Sequence, residues 1–298
     1  MKSKSKVNKS NVGYLYIMPW ILGFLVFQLY PLLSSLFYSF TDYSITNKPE
    51  FVGLSNYITM FTEDNLFYQS LWNTLKYVFM SVPMKIVTAL IIAVILNKKL
   101  RGINMYRTIY YIPSIFGGSV AISILWRFLF MDSGIVNRVL SILHIPSVQW
   151  LSNPKLALFT LSLLSVWQFG SSMVLFLAAL KQVPGELYEA AHIDGAGSIQ
   201  RFFCITLPMI TPVLFFNILM QLVNAFQDFT GAFVITNGGP LNATYLFALK
   251  LYDESFSYYK MGYASALSWV LFVLIIGFTA IFFRFSDAVT YYEDGGDF

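Results

Sequence analysis

The sequence predicts an all-α polytopic membrane protein: six transmembrane helices in one domain over residues 1–298, with both termini in the cytosol. Three observations predict it. Of its 298 residues, 57% are hydrophobic and 11% charged, against roughly a quarter charged in a soluble domain. Six separate segments each supply the ~20 mainly apolar residues that a bilayer-spanning helix needs. Lysine and arginine gather in alternate connections, as the positive-inside rule requires.

Taken in order, the chain opens with Lys2, Lys4, Lys6 and Lys9 ahead of the first apolar run. A signal peptide also starts with positive charge. Here the run is longer than an h-region, contains Pro19 and Pro31, and leads into Thr41, Asp42 and Tyr43 with no small-residue cleavage site. An uncleaved first span over 14–40 is the better reading. The connection from Asp42 to Ser70 holds Phe51-Val52-Gly53-Leu54-Ser55-Asn56-Tyr57, a turn among buriable aromatics. Span two covers 71–96, and Lys98, Lys99, Arg101 and Arg107 after it mark a cytosolic connection. Span three covers 109–130 and span four 156–180; the segment between them carries turns at Gly134 and at Asn153-Pro154. The connection 181–208 holds Lys181 and Arg201 and is again cytosolic, and span five follows over 209–235. The Asn237-Gly238-Gly239-Pro240 turn leads on to span six, 263–283. Each span is apolar on most faces, as suits a helix surrounded by lipid. Pro19, Pro31, Pro83, Pro113 and Pro212 are expected to kink the spans, which membrane neighbours tolerate. No internal repeat and no second soluble domain is evident.

Other features narrow the function. The single cysteine, Cys204, excludes an intrachain disulfide, and His144 and His192 have no cysteine partners at metal-ligand spacing. The net charge of +4 is explained by topology, and the 18% aromatic content by interface anchoring. There is no phosphate loop ending in Gly-Lys-Ser or Gly-Lys-Thr, and no Gly-x-Ser-x-Gly or His-Glu-x-x-His. Carboxylates are almost missing from the spans, so the ionisable pattern of a proton-coupled carrier is weak. The chain supplies a path and no energy source.

Polar groups inside the spans are the pathway candidates. Lys85 falls near the middle of span two, where it should face protein or water. It either lines a pathway or pairs with an acceptor at a subunit interface. Arg127 sits near the end of span three and can snorkel. In span five, Asn217, Gln221, Asn224 and Asp228 fall on one helical stripe. Their amide and carboxylate groups can bond solute hydroxyls while Phe226 and Phe229 stack on apolar sugar faces; interhelical hydrogen bonding is the equal alternative. Trp167 and Gln168 in span four form a weaker second pair.

The most informative stretch is the polar island between spans four and five. Pro184 suits the first turn of a helix, and Glu186 and Glu189 suit the positive end of its dipole. Gly195 and Gly197 can take the left-handed conformation that ends a helix, and Ser198 can cap a second short helix running toward Pro208. Ala190 and Ala191 leave a flat face. On these features alone, a plain helical hairpin between two spans is equally open. However, Glu189-Ala190-Ala191 is followed after three residues by Gly195, and nine residues later by Ile205-Thr206-Leu207-Pro208. This spacing resembles the EAA signature of permease subunits of binding-protein-dependent ABC importers. Similarity to the sugar-transporting branch (maltose and multiple-sugar type) runs from Tyr14-Leu15-Tyr16-Ile17-Met18-Pro19-Trp20 to Met261-Gly262-Tyr263-Ala264-Ser265-Ala266, nearly the whole chain.

The resemblance implies a type I importer permease in a bacterial inner membrane, with 181–208 docking an ATPase through Glu186, Glu189, Ala190, Ala191, Asp194 and Gly195. It implies a second related permease as heterodimer partner, two cytosolic ATPase subunits, an extracytoplasmic solute-binding protein and a saccharide substrate, most readily an oligosaccharide. No cofactor is expected on this chain; ATP and Mg belong to the ATPase. The alternatives are a permease for glycerol phosphate or a polyamine, a stand-alone secondary carrier, and a scaffold without transport. The single pathway carboxylate speaks against polyamines.

Overall fold

A computed structural model describes residues 9–98 and 101–289 of the chain. Lys2, Lys4, Lys6 and Lys99, on which part of the orientation reading rests, lie outside the described residues. The elements in chain order are α1 (Lys9–Phe24), a π-helical turn (Leu25–Leu29), α2 (Tyr30–Ser39), β1 (Thr41–Asp42), β2 (Glu50–Phe51), α3 (Ser55–Thr62), α4 (Asn65–Leu96), α5 (Ile103–Ile115), α6 (Val120–Phe130), α7 (Ile135–Ile142), α8 (Pro154–Trp167) and α9 (Gly170–Leu180). There follow α10 (Gly185–Ile193), α11 (Ser198–Arg201), a π turn (Phe202–Thr206), α12 (Leu207–Met209), α13 (Thr211–Phe226), a π turn (Ala232–Thr236), α14 (Phe247–Tyr252), a π turn (Asp253–Ser257) and α15 (Met261–Val289). Among the described residues, four stretches are long and apolar enough to cross a membrane: Tyr16–Ser39, Asn65–Leu96, Val120–Ile142 and Met261–Arg284. Two bent pairs, α8 with α9 at 47° and Ser198–Met209 with α13 at 70°, bring the number to six when each pair is one span. The all-α polytopic class follows from this.

Two compact units are present. One holds the described residues up to Asp64 together with Leu251–Val270. Its centre is the short antiparallel pair β1–β2, with Thr41 opposite Phe51. Asn56 Nδ2 donates to the carbonyls of Ser39 and Thr41, at 2.9 Å each, so the turn predicted around Phe51–Tyr57 anchors the end of α2. The Gly262 amide donates to the Tyr43 carbonyl at 2.9 Å, and Trp269 Nε1 donates to Ser35 Oγ at 3.1 Å. A β-carbon on Gly262 would stand 2.0 Å from the Thr41 carbonyl oxygen, so only glycine permits this approach.

The second unit holds Asn65–Lys250 and the described residues from Leu271 onward. The long helix α4 is its spine, packed along α8, α9 and α13. Phe67, Tyr77, Val78, Val82, Ile86, Ala89 and Ala93 are buried on this spine. Ala89 and Ala93 let backbones approach closely, as membrane helices favour. Trp72, Phe79, Val87, Ile91 and Ile95 point outward, as lipid-facing groups do. Thr74 Oγ1 accepts the Phe247 amide at 2.8 Å and Asn73 Nδ2 donates to the Asn242 carbonyl at 2.7 Å, tying the segment after Asn237 to α4. In the connection before α8, Asn137 is 5% exposed and uses all four hydrogen-bonding positions of its amide. Nδ2 donates to the carbonyls of Asp132 (3.0 Å) and Val148 (2.9 Å). Oδ1 accepts from the Val148 amide (3.0 Å) and Trp150 Nε1 (3.1 Å).

Two predicted spans are interrupted. The segment 109–130 breaks at Phe116–Ser119, where Gly118 has a φ of +71°, a conformation costly for residues with a β-carbon. The segment 209–235 turns at Ile210 and breaks again after Phe226. Helix resumes at Thr230, with the Asp228 carboxylate near the Gly231 amide, at the end of a helix where negative charge is favoured. Conversely, α4 runs unbroken through Pro83.

Candidate functional site

The breaks build a polar cavity. Inside the second unit, a cavity of about 400 Å³ is walled by α4, α8, α13, the Gly117–Gly118 turn and the segment that restarts after Asp228. Lys85, Gln168, Gln221, Asn224 and Asp228, all singled out from the sequence, line it. Gln168 reaches it because α8 ends at Trp167 and its backbone turns there. Ser114 Oγ holds that turn, donating to the Gln168 carbonyl at 3.1 Å and accepting the Ser171 amide at 3.0 Å.

The charges within it are arranged unequally. The Tyr77 hydroxyl donates to Asp228 Oδ2, with Ser165 near Tyr77 and the Gly231 amide near the same carboxylate. Asp228 is therefore engaged by a neutral donor rather than by a cation. Lys85 lies within electrostatic range of Asp228, yet its ammonium forms no hydrogen bond or direct ion pair among the described residues. A cation at such depth costs about 2.5–3.5 kcal/mol on insertion scales, an expense that water or a solute group in the cavity offsets.

Asn217 and Trp167 are placed elsewhere. Asn217, 1% exposed, accepts from Ser172 Oγ at 2.8 Å and donates to the Ser172 carbonyl at 3.3 Å. It joins α13 to α9, the interhelical alternative for the stripe. Gln221 Nε2 donates to the same Ser172 hydroxyl at 3.3 Å and still lines the cavity. Trp167 is 38% exposed and packs beside Trp126 with ring centroids 6.0 Å apart. Asp228 does not share the α13 stripe, because that helix ends at Phe226; it enters the cavity from the break. Phe229 lines the cavity, whereas Phe226 is buried against Phe278.

Tyr77, Ser123 and Ser165 are lining groups that the sequence did not single out. Tyr77 and Ser81 lie eight and four residues before Lys85 and so share its helical face. Tyr77, two turns before Lys85, is thus a polar group on the face that carries the lysine, though it bonds Asp228. Ser123 and Ser165 carry no such signal.

The second candidate region is 181–208. Here α10 starts after Pro184, which is its N-cap rather than a first-turn residue. Glu186, Glu189, Ala190 and Ile193 recur at helical spacing and form one exposed face; Ile193 is 85% exposed. Ala191 is half-buried and its carbonyl accepts the Ala196 amide at 2.9 Å. Tyr188 on the inner face is 2.8 Å from Thr206 Oγ1 and holds α10 against the following segment. Asp194 and Gly195 close the helix, Gly195 with a φ of +79°. Gly197 is not left-handed: at φ −69° and ψ 164° it is the N-cap of α11, and Ser198 is the first helical residue. Ile199 (77%) and Phe203 (60%) extend the exposed apolar surface. Cys204 is exposed on the same segment.

With this geometry in view, the likenesses to known proteins are informative. The model of a family described as binding-protein-dependent transport system inner membrane component matches residues 58–290. A probable ABC transporter permease protein of Bacillus subtilis (strain 168), YesP, is 48% identical over 98% of this chain and 96% of its own length. The arabinooligosaccharides transport system permease protein AraP of the same organism is 34% identical over 94% of this chain and 90% of its own. A solved bacterial ABC transporter involved in import of the acidic polysaccharide alginate superposes with a TM-score of 0.82, covering 94% of this chain and 96% of the matched one. At 22% identity that last likeness is one of fold.

Proposed function

We propose that this chain, which belongs to the family of inner membrane components of binding-protein-dependent transport systems, is one permease half of an ATP-driven importer of oligosaccharides. The observation that carries this reading is the cavity. Amide side chains of Gln168, Gln221, Asn224 and Gln227 converge with Phe229 in spans that are otherwise apolar. Neutral donors and acceptors beside an aromatic face suit hydroxyl-rich, ring-shaped solutes. The full-length likeness to an arabinooligosaccharide permease supports the same class.

The exposed face of 181–208 is the ATPase-docking element. Ile193, Ile199 and Phe203 are too exposed for a loop left in water, since clustered apolar surface marks an interaction site. Glu186 and Glu189 offer charge to a basic partner, and the turn at Gly195 fixes the angle at which α10 is presented. Two cytosolic ATPase subunits, which hold ATP and Mg, a second related permease and an extracytoplasmic binding protein complete the assembly. The ATPase contact and the solute bias a two-state bundle through contacts that differ between its states.

Co-expression of the chain with its genomic neighbours tests the whole reading. An ATPase and a second permease are expected to co-purify with it, and vesicles holding the complex to accumulate an oligosaccharide only with ATP and binding protein. Stable purification of a transport-active chain by itself would overturn the reading in favour of a secondary carrier. Topology has its own check. In right-side-out vesicles Cys204 is expected to resist an impermeant maleimide, and in inside-out vesicles stripped of ATPase to react with it. Labelling from outside would reverse the orientation.

A further inference from the structure

A second cavity follows the first along the same two walls. It is an open depression of about 590 Å³ lined by Arg127, Asp132, Ser152, Thr236 and the Gly239–Pro240 turn, among others. Ser123 on α6 lines the Lys85 cavity and Arg127 the second one. These residues are four apart on one helix face, about 6 Å along the axis. Ala232 faces the first cavity, and Ile235 and Thr236, one turn later, face the second. The turn holding them packs on α6. The two spaces are thus successive along a single route.

Each space holds one aspartate and one cation, and in each the aspartate is already engaged. Asp132 Oδ2 accepts from Ser152 Oγ at 3.1 Å, and Asp228 Oδ2 accepts from the Tyr77 hydroxyl. Neither Arg127 nor Lys85 has a hydrogen bond or ion pair among the described residues. Lys85 is half-buried in an otherwise apolar wall, where a structural cation is normally paired, so its open ammonium is arranged to meet an anion. Arg127 is exposed at the rim of the second, open space, where an unpaired charge draws an anion in from water.

We propose that the transported oligosaccharide carries a carboxylate, as a uronic acid does, and that Arg127 and Lys85 are successive stations for that group. A monoanion matches a site with a single open cation, whereas a dianionic phosphate would also face the neighbouring aspartate with excess negative charge. The sugar hydroxyls meet Gln168, Gln221 and Asn224, and the carboxylate moves from guanidinium to ammonium as the bundle changes state. This rests on the reading of the chain as a saccharide permease.

The test uses the complete transporter with its binding protein in proteoliposomes. They are offered trigalacturonate, trimannuronate, the carboxyl-reduced trimers of both and glycerol 3-phosphate, with accumulation read by mass spectrometry. A uronate trimer is expected inside, and Lys85→Gln or Arg127→Gln is expected to lower its uptake about tenfold or more, the size of a lost charge-assisted bond. Lys85→Arg should restore most of it. The ratio of uronate to carboxyl-reduced uptake should fall in both glutamine variants. Accumulation of carboxyl-reduced trimers alone would overturn the carboxylate proposal and leave the saccharide reading standing. Glycerol 3-phosphate alone, or no solute at all, would overturn both. Unchanged uronate uptake in both glutamine variants, with normal complex yield, would overturn the two stations.

Discussion

Uptake by a Glu189→Lys, Gly195→Val double variant is expected to fall by about a hundredfold or more, with the chain still inserted in the membrane. Both changes fall on the exposed side of 181–208, so nothing in the bundle is disturbed. In the proposed docking, reversing the charge of Glu189 sets a cation against a basic partner surface, and like charges brought together at an interface cost several kcal/mol. Gly195 has a φ of +79°, and valine there adds roughly 1–3 kcal/mol of backbone strain. Every 1.4 kcal/mol is about tenfold in affinity, so the two together remove coupling. ATPase retained on affinity-purified complex and uptake in cells are the two measurements. Normal uptake by a stably expressed double variant would show that α10 is an ordinary connection.

The largest stability effect is expected at Gly262. Its hypothetical β-carbon would lie 2.0 Å from the Thr41 carbonyl oxygen and 3.0 Å from the Tyr43 nitrogen. Both are backbone atoms, so no rotamer change relieves the clash. Gly262→Ala should therefore displace the β1 segment and break the Gly262–Tyr43 hydrogen bond, costing about 3 kcal/mol or more. Gly277 on the same helix is the control, because nothing lies within 4 Å of its added carbon. Alanine there should be neutral or stabilise by about 0.5–1 kcal/mol, the helix-interior difference between the two residues. The check is the thermal midpoint of the detergent-solubilised chain, followed by fluorescence-detected gel filtration. Equal midpoints for the two variants would contradict the close approach.

Hydropathy was sufficient to read the apolar segments but not their interruptions. A window averaged over about 20 residues cannot register Gly117–Gly118 or Gln227–Asp228, whose effect is local: a positive φ in one case, a carboxylate beside the start of its own following turn in the other. Pro83 is the contrasting case, a breaker residue through which α4 runs on as one helix. At the cavity, Lys85, Gln221, Asn224 and Gln168 were visible because amides and charges are conspicuous among leucines and phenylalanines. Asn217 was equally conspicuous and faces Ser172 instead, because rotation of a helix about its axis is set by packing that periodicity does not contain. Tyr77 was hidden by the abundance of tyrosines.

The four-bonded amide of Asn137 makes one atom decisive for how the 131–153 connection ages. Its nitrogen faces two carbonyl oxygens and its oxygen faces two N–H groups, so the side chain fits in one orientation only. Hydrolysis of that amide to a carboxylate, the slow chemical damage to which asparagine is prone, would exchange two donated bonds for two oxygen–oxygen repulsions in a nearly closed site. Folding shields the group while the segment stays shut, but damage suffered during a transient opening would prevent it from shutting again. The service life of the transporter at this segment is then counted in openings rather than in hours.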